Sequence, residues 1–239
     1  MIKVFKDIEH LSRFAAEKFV EIANEVNERN ELCTVALAGG STPKSLYRLL
    51  AGDEYKNKID WKSVSFFFGD ERNVLPDDEN SNFRMAQENL FEPLNISDSM
   101  IDRWETELAD AEKTAARYAS TLGMFFRTAP RFDLILLGMG ADGHTASLFP
   151  FTKALTETEK NAVANPVEKL AATRLTLTFP VINNARNIIF MVKGADKAAA
   201  LREVLEGEFQ PDKYPSQNVK PADGDLLWLV DEEAARLLK

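Results

Sequence analysis

The 239-residue chain has one cysteine, Cys33, and two histidines, His10 and His144. A single thiol excludes an internal disulfide framework and fits a reducing compartment. Cys33 lies between Leu32 and Thr34 at the entry to an apolar run, and reads as a buried structural thiol rather than a nucleophile. His10, His144 and Cys33 have no ligand spacing, so no metal site is expected, and His10 reads as a surface helix residue. Clustered basic residues are also missing. The net charge is −9, and a nucleic-acid partner would call for a basic face. No apolar run approaches the ~20 residues that a membrane span needs. The opening stretch Met-Ile-Lys-Val-Phe-Lys-Asp is broken by charge and lacks the apolar core of a signal peptide. The expectation is a cytoplasmic protein with no membrane or nucleic-acid partner. Internal repeats, low-complexity tracts and linkers are absent too, so residues 1–239 are expected to form one domain. A chain of this length can bury a substantial core.

What is present is an alternation of strands and helices. Apolar side chains at Ile8, Leu11, Phe14, Ala15, Phe19, Ile22 and Val26 have helical spacing, with Asp7 as N-cap. Further helices are expected at 42–50, capped by Thr42 with Pro43 at its first position, and at 81–91, stopped before Pro93. Others follow at 106–126, at 195–206 closed by Gly207, and after Asp231. Strands are expected at 33–38, 64–68, 134–138, 175–179, 187–192 and 226–230. Several are continuous apolar runs, as in strands buried on both faces. The pattern predicts an α/β fold with a mostly parallel sheet covered by helices on each side. Residues 51–62, 92–105, 150–172 and 207–224 read as surface connections.

The segment Gly138-Met-Gly-Ala-Asp-Gly-His144 follows one of these strands and contains G-x-G-x-x-G. A dinucleotide site would need a long helix after the third glycine and a carboxylate roughly 20 residues on. Pro150 forbids that helix. The loop instead delivers an imidazole to the C-terminal edge of a strand, where His144 is the natural general base near pH 7. The turn at Gly140 to Gly143 could aim N–H groups at an oxyanion. No G-x-S-x-G elbow is present, and nothing marks Ser147 as a nucleophile.

Three other strand exits carry related chemistry. Gly39-Gly40-Ser41-Thr42-Pro43 feeds a helix N-terminus; it fits a phosphate cradle and an ordinary capped turn equally well. Gly69-Asp70-Glu71-Arg72 offers a guanidinium for an anion, with Asp70 or Glu71 to hold it or to meet sugar hydroxyls. Asn82 and Arg84 open the next helix and could face the same space. Lys197 is a cation in the first turn of a helix, a mismatch that a bound anion would offset. Arg174 opens a strand after a loop and is a further anion contact to consider.

In order along the chain, Ala-Gly-Gly-Ser-Thr-Pro (38–43), Gly-Asp-Glu-Arg (69–72), Asp-x-x-Asn-Ser-Asn (77–82) and Gly-x-Gly-x-Asp-Gly-His-Thr-Ala-Ser-Leu-Phe-Pro (138–150) resemble the 6-phosphogluconolactonase family. So do Arg-Leu-Thr-Leu-Thr-Phe-Pro (174–180), Gly-Ala-Asp-Lys (194–197) and Trp-Leu-Val-Asp (228–231). The resemblance implies a Rossmann-like three-layer α/β/α sandwich that hydrolyses a sugar-phosphate lactone without metal or cofactor, as a monomer or small homo-oligomer. It implies His144 as the base that activates water, with Asp70 and Asp142 as supporting carboxylates. Gly39, Gly40, Ser41, Thr42, Arg72, Asn82, Gly143, Arg174 and Lys197 are the implied substrate contacts. Related deaminases and isomerases follow the same His with a glutamate-bearing segment, whereas Thr145 to Pro150 has no carboxylate. A non-catalytic sugar-phosphate sensor is the alternative from another class.

Overall fold

The runs that read as doubly buried strands, β2 (Cys33–Leu37), β3 (Val64–Phe68) and β5 (Leu134–Leu137), are buried at every residue. With β1 (Ile2–Phe5), β8 (Asn187–Val192) and β9 (Asp225–Asp231) they form a parallel sheet in the order β1-β9-β8-β5-β2-β3. This is a computed structural model, and it describes residues 1–108 and 110–239. Helices flank the sheet. The main ones are α1 (Ile8–Asn27), α2 (Ser41–Leu50), a short α3 (Asn82–Ala86), α4 (Glu92–Leu94) and α5 (Ala111–Phe126). After them come α6 (Phe179–Asn183), α7 (Ala198–Glu206) and α8 (Glu232–Ala235). Asp7 caps α1 by accepting the His10 N–H at 3.0 Å, and Asp231 caps α8.

A second, antiparallel sheet was not anticipated. It consists of β4 (Asp70–Arg72), β7 (Ala172–Leu177) and β6 (Ala162–Val167), in that order. The expected strand at 175–179 belongs here rather than in the parallel sheet, and Pro180 opens α6 instead of merely ending a strand. The stretch 150–172, read as a surface connection, contains β6. Its Asn165 and Pro166 hide the strand signal, and proline is tolerated because β6 is an edge strand. Gly69 joins the two sheets: its N–H donates to Leu37 O at 2.9 Å, and its carbonyl accepts from Leu177 N at 2.9 Å.

Smaller departures have local causes. β1 lies at the sheet edge with alternating exposure, so it has no apolar run to announce it. The 81–91 helix does not stop before Pro93. It widens into a π-helical stretch at Gln87–Phe91 and runs on through Pro93 to Leu94, although Pro93 has no N–H to donate back into the helix. α5 begins at Ala111 behind an Asp110 cap, and Thr106–Leu108 is a separate 3-10 turn.

β2 and β5 are neighbours, yet the chain leaves β2 toward β3 and leaves β5 toward β8, on opposite sides. Such a switch point opens a crevice beyond the carboxyl ends of the strands. Two buried tyrosines fix the backbone there. Tyr47 Oη donates to Ala38 O at 2.7 Å and accepts the Ala38 N–H at 3.0 Å. Tyr118 does the same for Phe68, at 3.0 and 2.8 Å. Each hydroxyl satisfies a peptide group near the end of its strand. Tyr47→Phe would leave both polar groups of Ala38 buried without that partner, and unfolding by urea should show a loss of about 1–3 kcal/mol. Wild-type stability in this variant would mean that the hydroxyl does not hold the strand end.

Candidate active site at the strand exits

The exits of β2, β3, β5 and β8 open on one cleft of about 670 Å³. Its centre is the loop after β5. The Gly140 N–H donates to His144 O at 2.9 Å and the Gly143 N–H to Gly140 O at 3.0 Å, closing a tight turn. The imidazole folds back over this turn, and a Cβ on Gly140 would lie 2.0 Å from His144 Nδ1. Glycine is therefore required at 140 by the ring itself. Gly143 has φ +76°, and a Cβ there would also press on Tyr214 at 2.9 Å. Ser216 holds the turn from outside, donating from N and Oγ to Gly143 O at 2.9 and 2.8 Å.

Asp142 Oδ1 meets His144 Nδ1 at 2.5 Å and accepts the His144 N–H at 3.2 Å. An ionised carboxylate only accepts, so the hydrogen-bond pattern assigns the ring proton to Nδ1 and leaves the lone pair on Nε2. The other carboxylate oxygen pairs with Lys169. Phe149 stacks on the imidazole with ring centroids 4.0 Å apart. Burial pulls the His144 pKa down to about 4; Asp70 opposes this, while Lys197, Arg174 and Arg72 reinforce it. The ring is neutral at pH 7.

Asp70 is held in place on the cleft wall. Its Oδ2 accepts from Ser147 Oγ at 2.7 Å, and Asn82 Nδ2 donates to its backbone oxygen at 2.9 Å. Asn82 is buried beneath Gly39, where a Cβ would sit 1.8 Å from Asn82 Oδ1. It therefore supports the cleft from behind and is not part of its wall. Glu71 points away as well. It accepts N–H bonds from Arg72, Asn82 and Phe83 at 2.7–2.8 Å and caps α3. Burial raises its pKa against those bonds.

The cleft gathers cations. Arg72 on β4 lies directly opposite Arg174 on β7, and both are on the wall. Like charges in register repel. Neither guanidinium has a carboxylate within salt-bridge distance among the described residues, and burial together with Arg72 lowers the pKa of Arg174. Arg84 instead pairs with Glu88 at 2.8 Å. Lys197 reaches the wall while pairing with Asp196 at 3.0 Å. Gly40, with φ +99°, is the N-cap position of α2 and offers no side-chain cap, so Thr42 inside the helix is not the cap that its type suggested.

Of the expected contacts, Gly39, Gly40, Asp70, Arg72, Asp142, His144, Arg174 and Lys197 line the cleft, whereas Ser41, Thr42, Asn82 and Gly143 do not. The turn from Gly140 to Gly143, expected to offer oxyanion donors, uses its four N–H groups differently. The N–H groups of Gly140 and Gly143 close the turn, while those of Ala141 and Asp142 find no acceptor among the described residues. Ser147, Phe149 and Lys169 were not singled out as site residues, yet all three line the cleft. Lys169 carried no sequence signal, lying in a stretch that read as loop. Cys33 is buried, which pushes its thiol up to about 12. Among the described residues no group of three or more His, Cys, Asp or Glu could hold a metal ion, and no helix is long and apolar enough to cross a membrane.

Comparison with known proteins places these features in a lineage. A family model described as "Glucosamine-6-phosphate isomerases/6-phosphogluconolactonase" matches residues 6–228. A 6-phosphogluconolactonase of Synechocystis sp. is 41% identical over 222 residues, spanning 91% of this chain and 89% of that protein. The solved 6-phosphogluconolactonase of Trypanosoma brucei superposes with a TM-score of 0.89 at 30% identity, covering 100% and 98% of the two chains. A monomeric glucosamine-6-phosphate deaminase, at 24% identity and TM-score 0.82 over 99% of both chains, shares the fold. The chain belongs to the glucosamine-6-phosphate isomerase/6-phosphogluconolactonase family.

Proposed function

We propose that the protein hydrolyses 6-phospho-D-glucono-1,5-lactone to 6-phospho-D-gluconate, with His144 as general base. The observation that carries this reading is an oriented, neutral imidazole sharing a cleft with two arginines that have no acidic partner there. The guanidiniums of Arg72 and Arg174, with Lys197, suit the phosphate. Gly39 and Gly40, leading into the uncapped start of α2, add peptide dipoles of the same sign.

In this reading Nε2 of His144 takes a proton from water as the water oxygen bonds to C1 of the lactone. Negative charge moves to the carbonyl oxygen, toward which the N–H groups of Ala141 and Asp142 are available. The C1–O5 bond then breaks, and O5 takes the proton from Nε2. Asp142 accepts the Nδ1–H throughout and stabilises the imidazolium that forms, as a carboxylate does in a catalytic triad. A ring with a pKa near 4 is a weak base, but the bound phosphate would neutralise the same cations that depress it, raising its basicity when substrate is present. A lactone is also an activated ester, so no covalent intermediate is required. Ser147 fits no such role, because its hydroxyl donates to Asp70 rather than to an imidazole. Residues 145–150 supply none of the carboxylate chemistry that deamination or isomerisation of an opened sugar would need.

His144→Ala should reduce the rate above spontaneous opening by about 10²–10⁴-fold, the usual contribution of a general base. Because burial lowers the His144 pKa, the ring stays deprotonated as pH falls from neutral. After allowance for the substrate phosphate, which ionises near about pH 6, the acid limb of kcat/KM should lie near 4 and vanish in the variant. A limb at the ordinary histidine position, or full activity without His144, would refute the assignment. Arg174→Ala should raise KM by about 10–100-fold, the usual effect of losing a charge-assisted hydrogen bond, while leaving the free protein as stable as wild type because it relieves the Arg72 repulsion. An unchanged KM would remove Arg174 from the phosphate site.

A further inference from the structure

The β6–β7 hairpin turns at Glu168–Leu170, with Ala171 in the left-handed region at φ 46°. The ladder is complete up to the Val167–Ala172 pair, so the tip is presented on a paired base. Lys169 and Leu170 at this tip line the cleft. Lys169 touches the His144 loop twice. Its Nζ pairs with Asp142 Oδ2 and stands 4.9 Å from the centroid of the Phe149 ring. Asp142 and Phe149 are the two side chains that hold the imidazole, one by a hydrogen bond and the other by stacking. Half-exposed lysine–aspartate pairs add little to the stability of a fold. The consequence of this pair is therefore local.

We infer that Lys169 is a positioning residue: by holding Oδ2 of Asp142 it keeps Oδ1 on Nδ1 of His144 and so aims Nε2 into the cleft. The inference rests on the reading of His144 as the base. The charged groups that face the ring are Asp142 on its own loop, Asp70 and Arg72 on β4, Arg174 on β7, Lys169 at the hairpin tip and Lys197 after β8. Lys169 is the one that shares Asp142 with the imidazole. Without it, the carboxylate swings between rotamers, and its charge is no longer divided with an ammonium. The first effect lowers kcat; the second favours the imidazolium and moves the acid limb upward.

The test compares Lys169→Met and Lys169→Arg in the full-length protein, by kinetics on the lactone and by imidazole ¹⁵N NMR. The chain has only two histidines, so His10 serves as an internal reference. In Lys169→Met the His144 signal should change from a single Nδ1–H tautomer to a mixture. Its titration midpoint should rise by about one unit, and kcat should fall by about tenfold with KM nearly unchanged. Lys169→Arg should restore all three. An unaltered His144 tautomer and midpoint in Lys169→Met, or an equal loss in Lys169→Arg, would overturn the assignment. A wild-type protein inert toward the lactone would end the functional reading instead, while the histidine spectra would still decide the role of Lys169.

Discussion

The 2.5 Å hydrogen bond between Asp142 and Nδ1 of His144 is the contact around which the cleft is arranged. It fixes the tautomer and so determines which nitrogen faces the substrate space. The turn around it is built to permit it: Gly140 leaves room for the ring, and Gly143 lets the backbone double back against Tyr214. Further support comes from distant parts of the chain. Ser216 holds Gly143 from the 207–224 stretch, Phe149 stacks on the imidazole, and Lys169 reaches across from a hairpin in another sheet.

The second constraint is the meeting of two sheets at Gly69. The parallel sheet supplies the switch point and the loop that carries His144. The antiparallel sheet supplies Arg72 and Arg174 in register, together with the Asp70 carboxylate that Ser147 and Asn82 hold in place. Neither sheet alone carries the whole site. Glu71 shows how closely the two kinds of role are interleaved. It stands between Asp70 and Arg72, two cleft residues, yet it points inward to cap α3 and so fixes the strand that presents its neighbours.

The sequence made the parallel sheet readable because its central strands are uninterrupted apolar runs, and it marked the strand exits by their glycines and charges. The antiparallel sheet and the edge strand β1 escaped notice for physical reasons. β4 is three charged residues, β6 contains Asn165 and Pro166, and β1 lies at an edge with alternating exposure. Neither β4 nor β6 carries a hydrophobic period, and β1 is too short and too exposed to form an apolar run. Residue type marked His144, Arg72 and Lys197, all of which line the cleft, but it could not separate residues that face the cleft from those that support it. Asn82 and Gly143 look like ligands in sequence and act as supports in space, whereas Lys169 looks like loop surface and reaches the loop that carries His144. That distinction depends on tertiary contacts between segments far apart in the chain, which no local pattern encodes.

In the proposed reaction the lactone carbonyl lies at His144 and the phosphate among Arg72, Arg174 and Lys197, within one cleft. The most direct test is a crystal structure of the protein with 6-phosphogluconate bound. The expected result is the C1 carboxylate beside His144, accepting from the N–H groups of Ala141 and Asp142, with the phosphate against the arginine pair. A product bound in the reverse orientation, or outside this cleft, would contradict it.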